Sequence, residues 1–362
     1  MSIAFATINS DALKHNLNKV RQIASNSSVL AVIKANAYGH GMQTVSNALM
    51  TSDAFAVARL EEAIQLRQYH DNKQIVLLQG FLNERELHQL IQFEIQPVIH
   101  SQAQIDLLQK TALPLCFPIW LKIDTGMNRL GISSEEFPHV WKTLNNISGI
   151  KGNIYLMSHF ANADNPEDPS TQNQISTFNQ LSRNISIEKT IANSAGILSF
   201  ENSHMDWVRP GIMLYGVSPY ESQVGADIGL RPVMNLYSRI IAIKKLNAGE
   251  SVGYGSIWQA EKESVLAVVG IGYGDGYPRH IDADTPVIID GKQYPIVGRV
   301  SMDMLCVNLG YKSDCQIGDT VLLWGDDLPV EHIAKDAGTI AYELLCQVST
   351  RVKFNEICDG KS

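Results

Sequence analysis

Eight short apolar runs recur along the first 216 residues, and stretches with helical periodicity separate most of them. Nearly continuous apolar runs are typical of parallel strands that are buried on both faces. The runs span residues 29–34, 54–59, 74–79, 95–100, 118–124, 153–159, 190–194 and 207–216. Apolar positions lie three or four residues apart in stretches 10–24, 59–70, 83–93, 101–110 and 134–146. This alternation predicts an α/β protein with a (β/α)8 barrel of the TIM type, and an open doubly wound sheet is the alternative.

The pattern changes after about residue 232. Short β-type runs, interrupted by Gly, Asp-Gly and Asn, follow one another at residues 238–246, 264–273, 285–301, 304–309 and 319–325. In this part, residues 331–348 have the periodicity of a helix. We therefore predict two domains, a barrel over residues 1–232 and a mostly-β domain over residues 233–362. Ser10 is the predicted N-cap of the first helix.

Composition narrows the classes of function. The chain has 362 residues, of which 45% are hydrophobic and 18% charged, and its formal net charge is −8. No basic block stands out to neutralise a phosphate backbone, so a small-molecule partner is favoured over nucleic acid. The five cysteines form no CxxC pair and the ten histidines no HExxH motif. Neither a metal site nor a disulfide framework is expected.

The N-terminal segment and the apolar runs also bear on location. Residues 1–16 lack a basic stretch followed by an apolar core, which is the pattern of an export signal. No run reaches the roughly 18 apolar residues that a membrane-spanning helix requires. We therefore expect a cytoplasmic protein that does not interact with a membrane.

Polar side chains end most of the predicted barrel strands, where the active site of such a barrel lies. These residues are Lys34, Arg59, His100, Lys122, His159, Ser194 and Arg209. For Arg59 and His100, the simpler interpretation is that they mark where a strand leaves the core. Lys34 either extends to solvent or pairs with a carboxylate, or it forms a Schiff base with a carbonyl compound. Tyr38 and the glycines at 39 and 41 favour the second interpretation, because they offer a hydroxyl and a close main-chain approach.

Two further segments carry candidate chemistry. Lys122 lies two residues before Asp124, so both point to one face of a strand and a lysine–aspartate pair in the barrel wall is one interpretation. The main-chain N–H groups of Gly211 and Ile212 are candidates for holding a phosphate at the last barrel strand. Asn193 and Ser194 would add to the same site.

The glycine-rich segment 270–279 has a glycine pattern similar to that of a dinucleotide-binding loop, but its sequence context differs. Pro278 stands where a helix would have to begin, and the residues that follow have the pattern of a strand. We interpret the segment as a turn that presents Tyr273 and Arg279.

Nine motifs together identify a family resemblance. In order along the chain they are AVIKANAYGHG, LKIDTGMNRLG, SHFANAD, ANSAGIL, VRPGIMLYG, SVGYGSIW, IGYGDGYPR, GRVSMDM and AYELLCQVSTRV. With these motifs the sequence resembles the alanine racemases, fold-type III enzymes that use pyridoxal 5′-phosphate (PLP), over essentially its whole length. Each motif alone is modest evidence, but their common order is specific.

The resemblance implies roles for residues of the barrel. Lys34 would hold PLP covalently and act as one catalytic base. The cofactor's phosphate would be bound by Tyr38, Ser194, Gly211, Ile212 and Tyr342, with Asn193 as a further cofactor-binding candidate from its position. Arg209, steadied by His159, would hydrogen-bond the pyridine nitrogen. Arg129 would approach the substrate carboxylate, and Lys122 would be carbamylated by CO2.

For the β domain, the resemblance implies a contribution to a second subunit. Tyr254 would be the other catalytic base, and the Met302 main-chain N–H would bind the substrate carboxylate. Both would reach the active site of the partner in a head-to-tail homodimer with shared sites. The substrate entrance would be lined by Asp164, Tyr273, Arg279 and Arg299.

The implied reaction interconverts L-alanine and D-alanine, for peptidoglycan synthesis or alanine catabolism. Racemisation needs a base on each face of the substrate, and a lysine and a tyrosine serve if their surroundings bring each pKa nearer neutrality. An arginine beside the pyridine nitrogen, with an ordinary pKa above about 12, would leave that nitrogen unprotonated. Transamination and decarboxylation, which need a stronger electron sink, would then be suppressed.

Three alternatives share parts of this resemblance. PLP-dependent decarboxylases carry a cysteine-containing motif late in the β domain, whereas the corresponding segment here is GRVSMDM. Racemases of broader specificity are typically exported, and no signal peptide is visible. Non-catalytic PLP-binding proteins usually consist of the barrel alone, so the β domain with Tyr254 argues against them.

Overall fold

The structure, a computed structural model, describes residues 2–359. The outer ends of the two predicted domains, residue 1 and residues 360–362, lie outside the described residues. A first strand, β1 (Phe5–Asn9), precedes the barrel. The barrel strands are β2 (Ser28–Val32), β3 (Ala54–Val57), β4 (Gln74–Leu77), β5 (Gln96–Ile99), β6 (Ile119–Lys122), β7 (Ile154–Met157), β8 (Lys189–Thr190) and β9 (Trp207–Val208).

Within residues 2–359, these eight parallel strands pair in chain order and close into a barrel. Closure comes from β2 and β9, where Ser28 pairs with Trp207 and Val29 with Val208. All residues of β3, β5 and β6 are buried, as expected for strands covered on both faces. The predicted (β/α)8 barrel is therefore confirmed, and the open doubly wound sheet is wrong.

The last two barrel strands are shorter than the apolar runs that predicted them. The run at 190–194 is a strand only as far as Thr190, and the run at 207–216 only as far as Val208. Pro210 and Gly211 end the second strand, because proline lacks the N–H that a sheet needs. The remaining residues of both runs lie beyond the strands, where Ser194 begins a helix and Ile212–Tyr215 form a 3₁₀ turn.

Helices surround the barrel; within residues 2–359, five of them lie in stretches predicted to be helical and four were not predicted. They are α1 (Ser10–Ile23), α2 (Lys34–Tyr38), α3 (Met42–Ala48), α4 (Leu60–Tyr69), α5 (Glu84–Gln92), α6 (Gln102–Lys110), α7 (Phe137–Asn145), α8 (Pro169–Leu181) and α9 (Ser194–Ser199). Short 3₁₀ turns lie at Glu201–Ser203, Ile212–Tyr215, Gly225–Ile228, Tyr254–Ser256 and Tyr273–Asp275.

The predicted N-cap of α1 is wrong by one residue. The Asn9 side chain caps the helix, accepting hydrogen bonds from the main-chain N–H groups of Asp11 and Ala12 at 2.9 and 3.0 Å. The Ser10 hydroxyl instead donates to the Glu356 carboxylate at 2.5 Å. Ser10 is therefore the first residue of the helix, and its side chain pairs with a residue far along the chain.

The β domain contains β10 (Met234–Leu246), β11 (Ser251–Val252), β12 (Trp258–Gln259), β13 (Ser264–Val269), β14 (Pro286–Ile289), β15 (Lys292–Val297), β16 (Leu305–Asn308), β17 (Thr320–Trp324) and β18 (Lys353–Ile357). Its main sheet has the strand order β13-β16-β15-β14-β17-β10-β1-β18, and β13 also pairs with β10. The predicted mostly-β character of this part is confirmed.

Strand β1 belongs to this second sheet although it precedes the barrel in sequence. It pairs antiparallel with β10 and parallel with β18. The first residues of the chain therefore pack with the β domain, whereas the predicted division at 232/233 places them in the barrel domain.

Two helices rather than one occupy residues 331–348, α10 (Val330–Asp336) and α11 (Ala341–Gln347). Glu331 on α10 accepts hydrogen bonds from the N–H groups of Ser218 and Gly225, in the segment after β9. A β-carbon at Gly39 would collide with the Leu345 carbonyl oxygen of α11, so glycine permits the close approach of this helix to α2. The β domain thus supplies one wall of the barrel mouth.

Two features are absent from residues 2–359. No helix there combines the length and apolar character needed to cross a membrane. No three His, Cys, Asp or Glu side chains in the same part of the chain converge as metal ligands would.

Candidate active site

A cavity of about 770 Å³ lies at the carboxyl ends of the barrel strands. Twelve of the predicted site residues line it, and they come from loops that are distant in sequence. They are Lys34, Tyr38, Lys122, Arg129, His159, Asp164, Asn193, Ser194, Arg209, Gly211, Ile212 and Tyr342. Among these, Tyr342 comes from α11 of the β domain.

Lys34 is presented by an unusual turn. The four residues after it, 35–38, all have left-handed backbone conformations, with φ between 51° and 55°, and none is glycine. Such a conformation costs about 1–2 kcal/mol per residue. The Asn36 side chain supports the turn by accepting from the Met42 N–H at 2.9 Å, and Glu62 accepts from the Asn36 N–H at 3.3 Å.

The surroundings of Lys34 favour its neutral amine. Burial lowers the pKa of Lys34 below its ordinary value, and the positive charge of Arg129 lowers it further. The neutral amine is the form that attacks a carbonyl carbon and accepts a proton. The position is thus suited to both covalent attachment and proton transfer.

Arg209 is buried at the cavity wall, and no carboxylate within residues 2–359 forms an ion pair with it. Its guanidinium donates to the Thr190 hydroxyl at 2.7 Å, the Ser158 carbonyl at 2.6 Å and the Ile191 carbonyl at 3.2 Å. Burial lowers the pKa of Arg209 to about 9, below the value assumed from sequence, although the group stays charged at pH 7. A buried cation with only neutral acceptors is costly, so this arrangement fits a ligand that supplies a further acceptor.

His159 lies against Arg209. Its Nδ1 is 3.1 Å from an Arg209 nitrogen, and since arginine can only donate, Nδ1 is the acceptor and the ring proton is on Nε2. Burial holds the pKa of His159 well below its usual range, and the Arg209 charge contributes in the same direction. A neutral His159 therefore orients the guanidinium.

Lys122 is buried in the barrel wall, but no ion pair within residues 2–359 joins it to Asp124. Burial lowers the pKa of Lys122 to about 8, and the charges of Arg209 and Arg129 lower it in the same direction. Asp124 accepts instead from the N–H groups of Gly126 and Asn128 at 2.9 and 3.1 Å. The lysine–aspartate pair considered from sequence is absent from this part of the chain.

Neutral donors and acceptors converge between the last two barrel strands. The Ser194 hydroxyl oxygen accepts from the N–H groups of Gly211 and Met213 at 2.9 and 3.4 Å. A β-carbon at Gly211 would lie 2.6 Å from the Tyr38 hydroxyl oxygen, so only glycine allows this hydroxyl to reach the main chain. Burial raises the pKa of Tyr38. Tyr38 therefore remains a hydroxyl donor, which suits a bound phosphate.

The hydroxyls of Tyr38 and Tyr342 belong to neighbouring rings. The Tyr38 ring stacks on Tyr215 at 4.8 Å and lies 6.0 Å from the Tyr342 ring. The side-chain oxygen of Asn193 accepts from the Gly196 N–H at 2.9 Å and so caps α9. It therefore does not point to the hydroxyls of Tyr38 and Tyr342. Its part in the site is to begin the helix on which Ser194 stands.

Gln174 on α8 is a residue of the site that the sequence patterns missed. Its oxygen accepts from the Ala161 N–H at 3.0 Å, and its nitrogen donates to the His159 carbonyl at 2.9 Å and the Thr125 hydroxyl at 3.2 Å. Thr125 in turn lies 2.7 Å from the Ser158 hydroxyl. One buried amide thus joins the loops after β6 and β7. A polar residue on the inward face of a helix is a signal for such a role, but α8 was not predicted.

Five predicted site residues do not line the cavity. Tyr254, Tyr273, Arg279, Arg299 and Met302 lie exposed on the β domain. They are carried by adjoining segments, since the Tyr273 N–H donates to the Ser301 carbonyl at 3.1 Å. The Gly274 N–H donates to the Met302 carbonyl at 2.8 Å. We call this surface, defined by these five residues, the exposed β face.

The cavity residues fit the group that the sequence motifs imply. A phosphate would meet the hydroxyls and main-chain N–H groups around Ser194 and Gly211. A pyridine nitrogen would add a further hydrogen-bond acceptor to the four neutral acceptors that buried Arg209 already has. The half-buried Lys34 has an amine of lowered pKa for attachment.

Comparison with known proteins gives a consistent result. Family models described as "Alanine racemase, N-terminal domain" and "Alanine racemase, C-terminal domain" match residues 8–219 and 233–355. The chain is 47% identical over 362 residues to an alanine racemase of Coxiella burnetii strain RSA 493, covering 99% of this chain and 100% of the relative. It is 48% identical over 347 residues to an alanine racemase of Shewanella oneidensis, covering 96% and 97%.

Solved structures of similar proteins share the whole fold. The biosynthetic alanine racemase from Pseudomonas aeruginosa superimposes with a TM-score of 0.95 at 39% identity, covering 99% of this chain and 100% of that one. The alanine racemase from Bartonella henselae, solved with covalently bound pyridoxal phosphate, gives a TM-score of 0.88 at 32% identity, covering 99% and 100%.

Proposed function

The chain belongs to the alanine racemase family of PLP-dependent racemases, and we propose that it interconverts L-alanine and D-alanine with Lys34 and Tyr254 as its two bases. The observation that carries the proposal is one cavity in which Lys34, with a lowered pKa, and Arg209, buried without a carboxylate, lie together. The product D-alanine would serve peptidoglycan synthesis, or the reaction would serve alanine catabolism, in the cytoplasm.

The proposed roles follow from what each side chain can do. Bound PLP would supply the electron sink that makes the α-proton of the amino acid acidic. Lys34 would hold the cofactor and move a proton at its Nζ on one face of the substrate. Arg209 would donate to the pyridine nitrogen, and the hydroxyls of Tyr38, Ser194 and Tyr342 would hold the phosphate. Arg129, at the cavity edge, would bind the substrate carboxylate.

The second face requires a base from outside this cavity. Tyr254 does not line it and is 69% exposed, so we propose that it acts in the cavity of a partner subunit within a head-to-tail homodimer. The Met302 N–H would bind the substrate carboxylate there. Asp164 of the cavity and Tyr273, Arg279 and Arg299 of the exposed β face would then form the substrate entrance between the two chains.

We also propose that Lys122 is carbamylated. With a pKa of about 8, about a tenth of its amine is neutral at pH 7, far more than for an ordinary lysine. That amine would attack CO2, form an N–C bond and release one proton to solvent. The resulting anion would hold Arg129 in place by charge-assisted hydrogen bonds.

Replacement of Lys122 tests this modification. Lys122→Ala should lose activity and recover part of it when acetate supplies a small carboxylate. Trapping of the native carbamate with an alkylating reagent should add its mass to the Lys122 peptide. An unmodified lysine in a fully active protein would rule the modification out.

The reaction itself is tested by separating enantiomers. Purified protein is incubated with L-alanine, L-serine and L-lysine in separate reactions, and the D-enantiomers are quantified by chiral chromatography. D-alanine should form fastest, and Lys34→Ala should form none. Preferential formation of D-lysine would instead indicate a racemase of broad specificity, and release of CO2 from lysine would indicate a decarboxylase.

We retain as a proposal the division into a barrel domain over 1–232 and a β domain over 233–362. The pairing of β1 with β10 and β18 modifies it in one respect, because the N-terminal strand folds with the second sheet.

A further inference from the structure

We infer that His40 is a positioning residue that holds the left-handed turn 35–38 through its ring N–H and so fixes Lys34 and Tyr38 relative to each other. The inference deepens the proposed function and rests on it. His40 does not line the cavity, and it contacts Tyr38 through the main-chain carbonyl rather than the hydroxyl proposed to bind phosphate.

The contacts of His40 determine its tautomer. Its Nδ1 lies 2.8 Å from the Tyr38 carbonyl oxygen and 3.2 Å from the Ala37 carbonyl oxygen. Both partners are acceptors, so Nδ1 must carry the proton and donate. The His40 main-chain N–H donates to the same Ala37 carbonyl at 3.0 Å. One residue therefore binds two consecutive carbonyl groups of the strained turn.

The other ring nitrogen has no partner. His40 is 1% exposed, and its Nε2 makes no hydrogen bond among residues 2–359. Burial lowers the pKa of His40 to about 4, because a second N–H would have no acceptor in this place. His40 consequently keeps one neutral tautomer near pH 7, and the donor at Nδ1 is always present.

The turn needs support of this kind because its conformation is unfavourable for its residues. Positions 35–38 are Ala, Asn, Ala and Tyr, and all four have positive φ. The Tyr38 carbonyl accepts the hydrogen bond from His40. The Tyr38 ring stacks on Tyr215, and the Tyr215 ring also packs on the His40 ring at 4.6 Å. Relaxation of the turn would therefore displace the Tyr38 hydroxyl and the Lys34 amine together.

The competing explanation is that His40 only fills space in the core. Two substitutions distinguish hydrogen bonding by the ring from packing of the ring. His40→Asn keeps an N–H donor near the position of Nδ1 but loses the ring. His40→Phe keeps the ring against Tyr215 but loses the donor. If the hydrogen bonds matter, His40→Phe is the more damaging change, and if packing alone matters, His40→Asn is.

The measurement is PLP uptake by the apoprotein. Apo forms of the wild type and both variants are titrated with PLP, and the cofactor bound through a C=N linkage is fixed with borohydride and mapped. His40→Phe should bind PLP roughly 10- to 100-fold more weakly than wild type, since two buried carbonyls lose a donor. A smaller fraction of its cofactor should be fixed on Lys34. His40→Asn should lose far less affinity.

Pyridoxal without its phosphate and the melting temperature of each apoprotein serve as controls. The difference between the variants should shrink with pyridoxal, because the Tyr38 hydroxyl then has no phosphate to bind. Equal PLP affinities, or a weaker His40→Asn variant, would overturn the inference, as would losses that follow the melting temperatures alone. Wild type that takes up no PLP would refute the proposed function itself, whereas wild-type uptake with an unaffected His40→Phe refutes only the role of His40.

Discussion

The cavity at the barrel mouth and the exposed β face differ in how completely one chain builds them. In the cavity, Arg209 is 4% exposed, and four hydrogen bonds fix its guanidinium. On the exposed β face, Tyr254 is 69% and Met302 is 52% exposed. The same chain thus holds some predicted site residues rigidly and leaves others on its surface.

The difference bears on the proposal that part of the site comes from another subunit. Proton transfer to a substrate that is enclosed in a cavity requires a base that water does not surround. Tyr254 lacks such surroundings, and the large apolar side chains of Ile257 and Met304 are exposed in the same domain. Exposed apolar groups of this kind are typical of surfaces that another protein covers. This contrast supports the proposal, implied by the family resemblance, that Tyr254 acts in the site of a partner subunit.

The largest expected effect is that of Lys34→Ala. Loss of both the attachment point and one base should lower racemisation in both directions by at least roughly 10²- to 10⁴-fold. Borohydride reduction of the wild type followed by peptide mapping should find the cofactor on Lys34. Cofactor on Lys122 would show that the two lysines have been assigned the wrong way round.

Tyr254→Phe should lower racemisation by a similar factor but leave folding unchanged. Its exposed hydroxyl supports no structure, so the free energy of unfolding should stay within about 0.5 kcal/mol of wild type. The variant should still exchange the α-proton of one enantiomer with solvent deuterium faster than it racemises it, since Lys34 remains. Exchange that is lost for both enantiomers would remove Tyr254 from its role as one of two bases.

Gln174→Leu tests the cavity side of the comparison without touching a proposed base. Its loss leaves the Ala161 N–H and the His159 carbonyl without their partner, which should destabilise the fold by about 1–3 kcal/mol. It should also lower kcat/KM roughly tenfold by misplacing His159. Gln172→Leu on the same helix is the control, because that amide is exposed and accepts only from Asn202 at 3.3 Å. Equal effects of the two substitutions would refute the role of Gln174.

Acid should weaken the barrel through its buried histidines. The pKa of His40 is about 4 in the folded chain, against about 6.5 when unfolded, so the unfolded chain binds more protons between these values. Stability is therefore complete above about pH 6.5 and falls as the pH drops towards 4. Between pH 7 and pH 5, the wild type should therefore lose about 2 kcal/mol more of its free energy of unfolding than His40→Asn does. The measurement is urea unfolding of the apoprotein. An unchanged pH dependence would contradict a buried neutral His40.

Sequence patterns predicted the barrel because its strands are buried on both faces and are therefore apolar throughout. They could not predict β1, whose partners β10 and β18 lie more than 200 residues away. Tertiary pairing, rather than any local signal, makes Phe5–Asn9 a strand.

The candidate site was predictable where polar residues end apolar strands, as with Lys34, Lys122 and Arg209. The left-handed turn was not, because Ala and Tyr disfavour positive φ and a single Asn, which adopts it more readily, is too weak a signal for four such residues in a row. Gln174 was missed because its partners lie on two loops and only the fold brings them together.

The shared-site claim is tested most directly by re-pairing two inactive proteins. Lys34→Ala and Tyr254→Phe are mixed, partially unfolded and allowed to re-associate. In a hybrid dimer one site has Lys34 together with the partner subunit's Tyr254, while the other site lacks both. Random pairing makes roughly half of the dimers hybrid, so about a quarter of wild-type activity should return. Folded dimers that are demonstrably hybrid yet remain inactive would contradict a Tyr254 that acts across the interface.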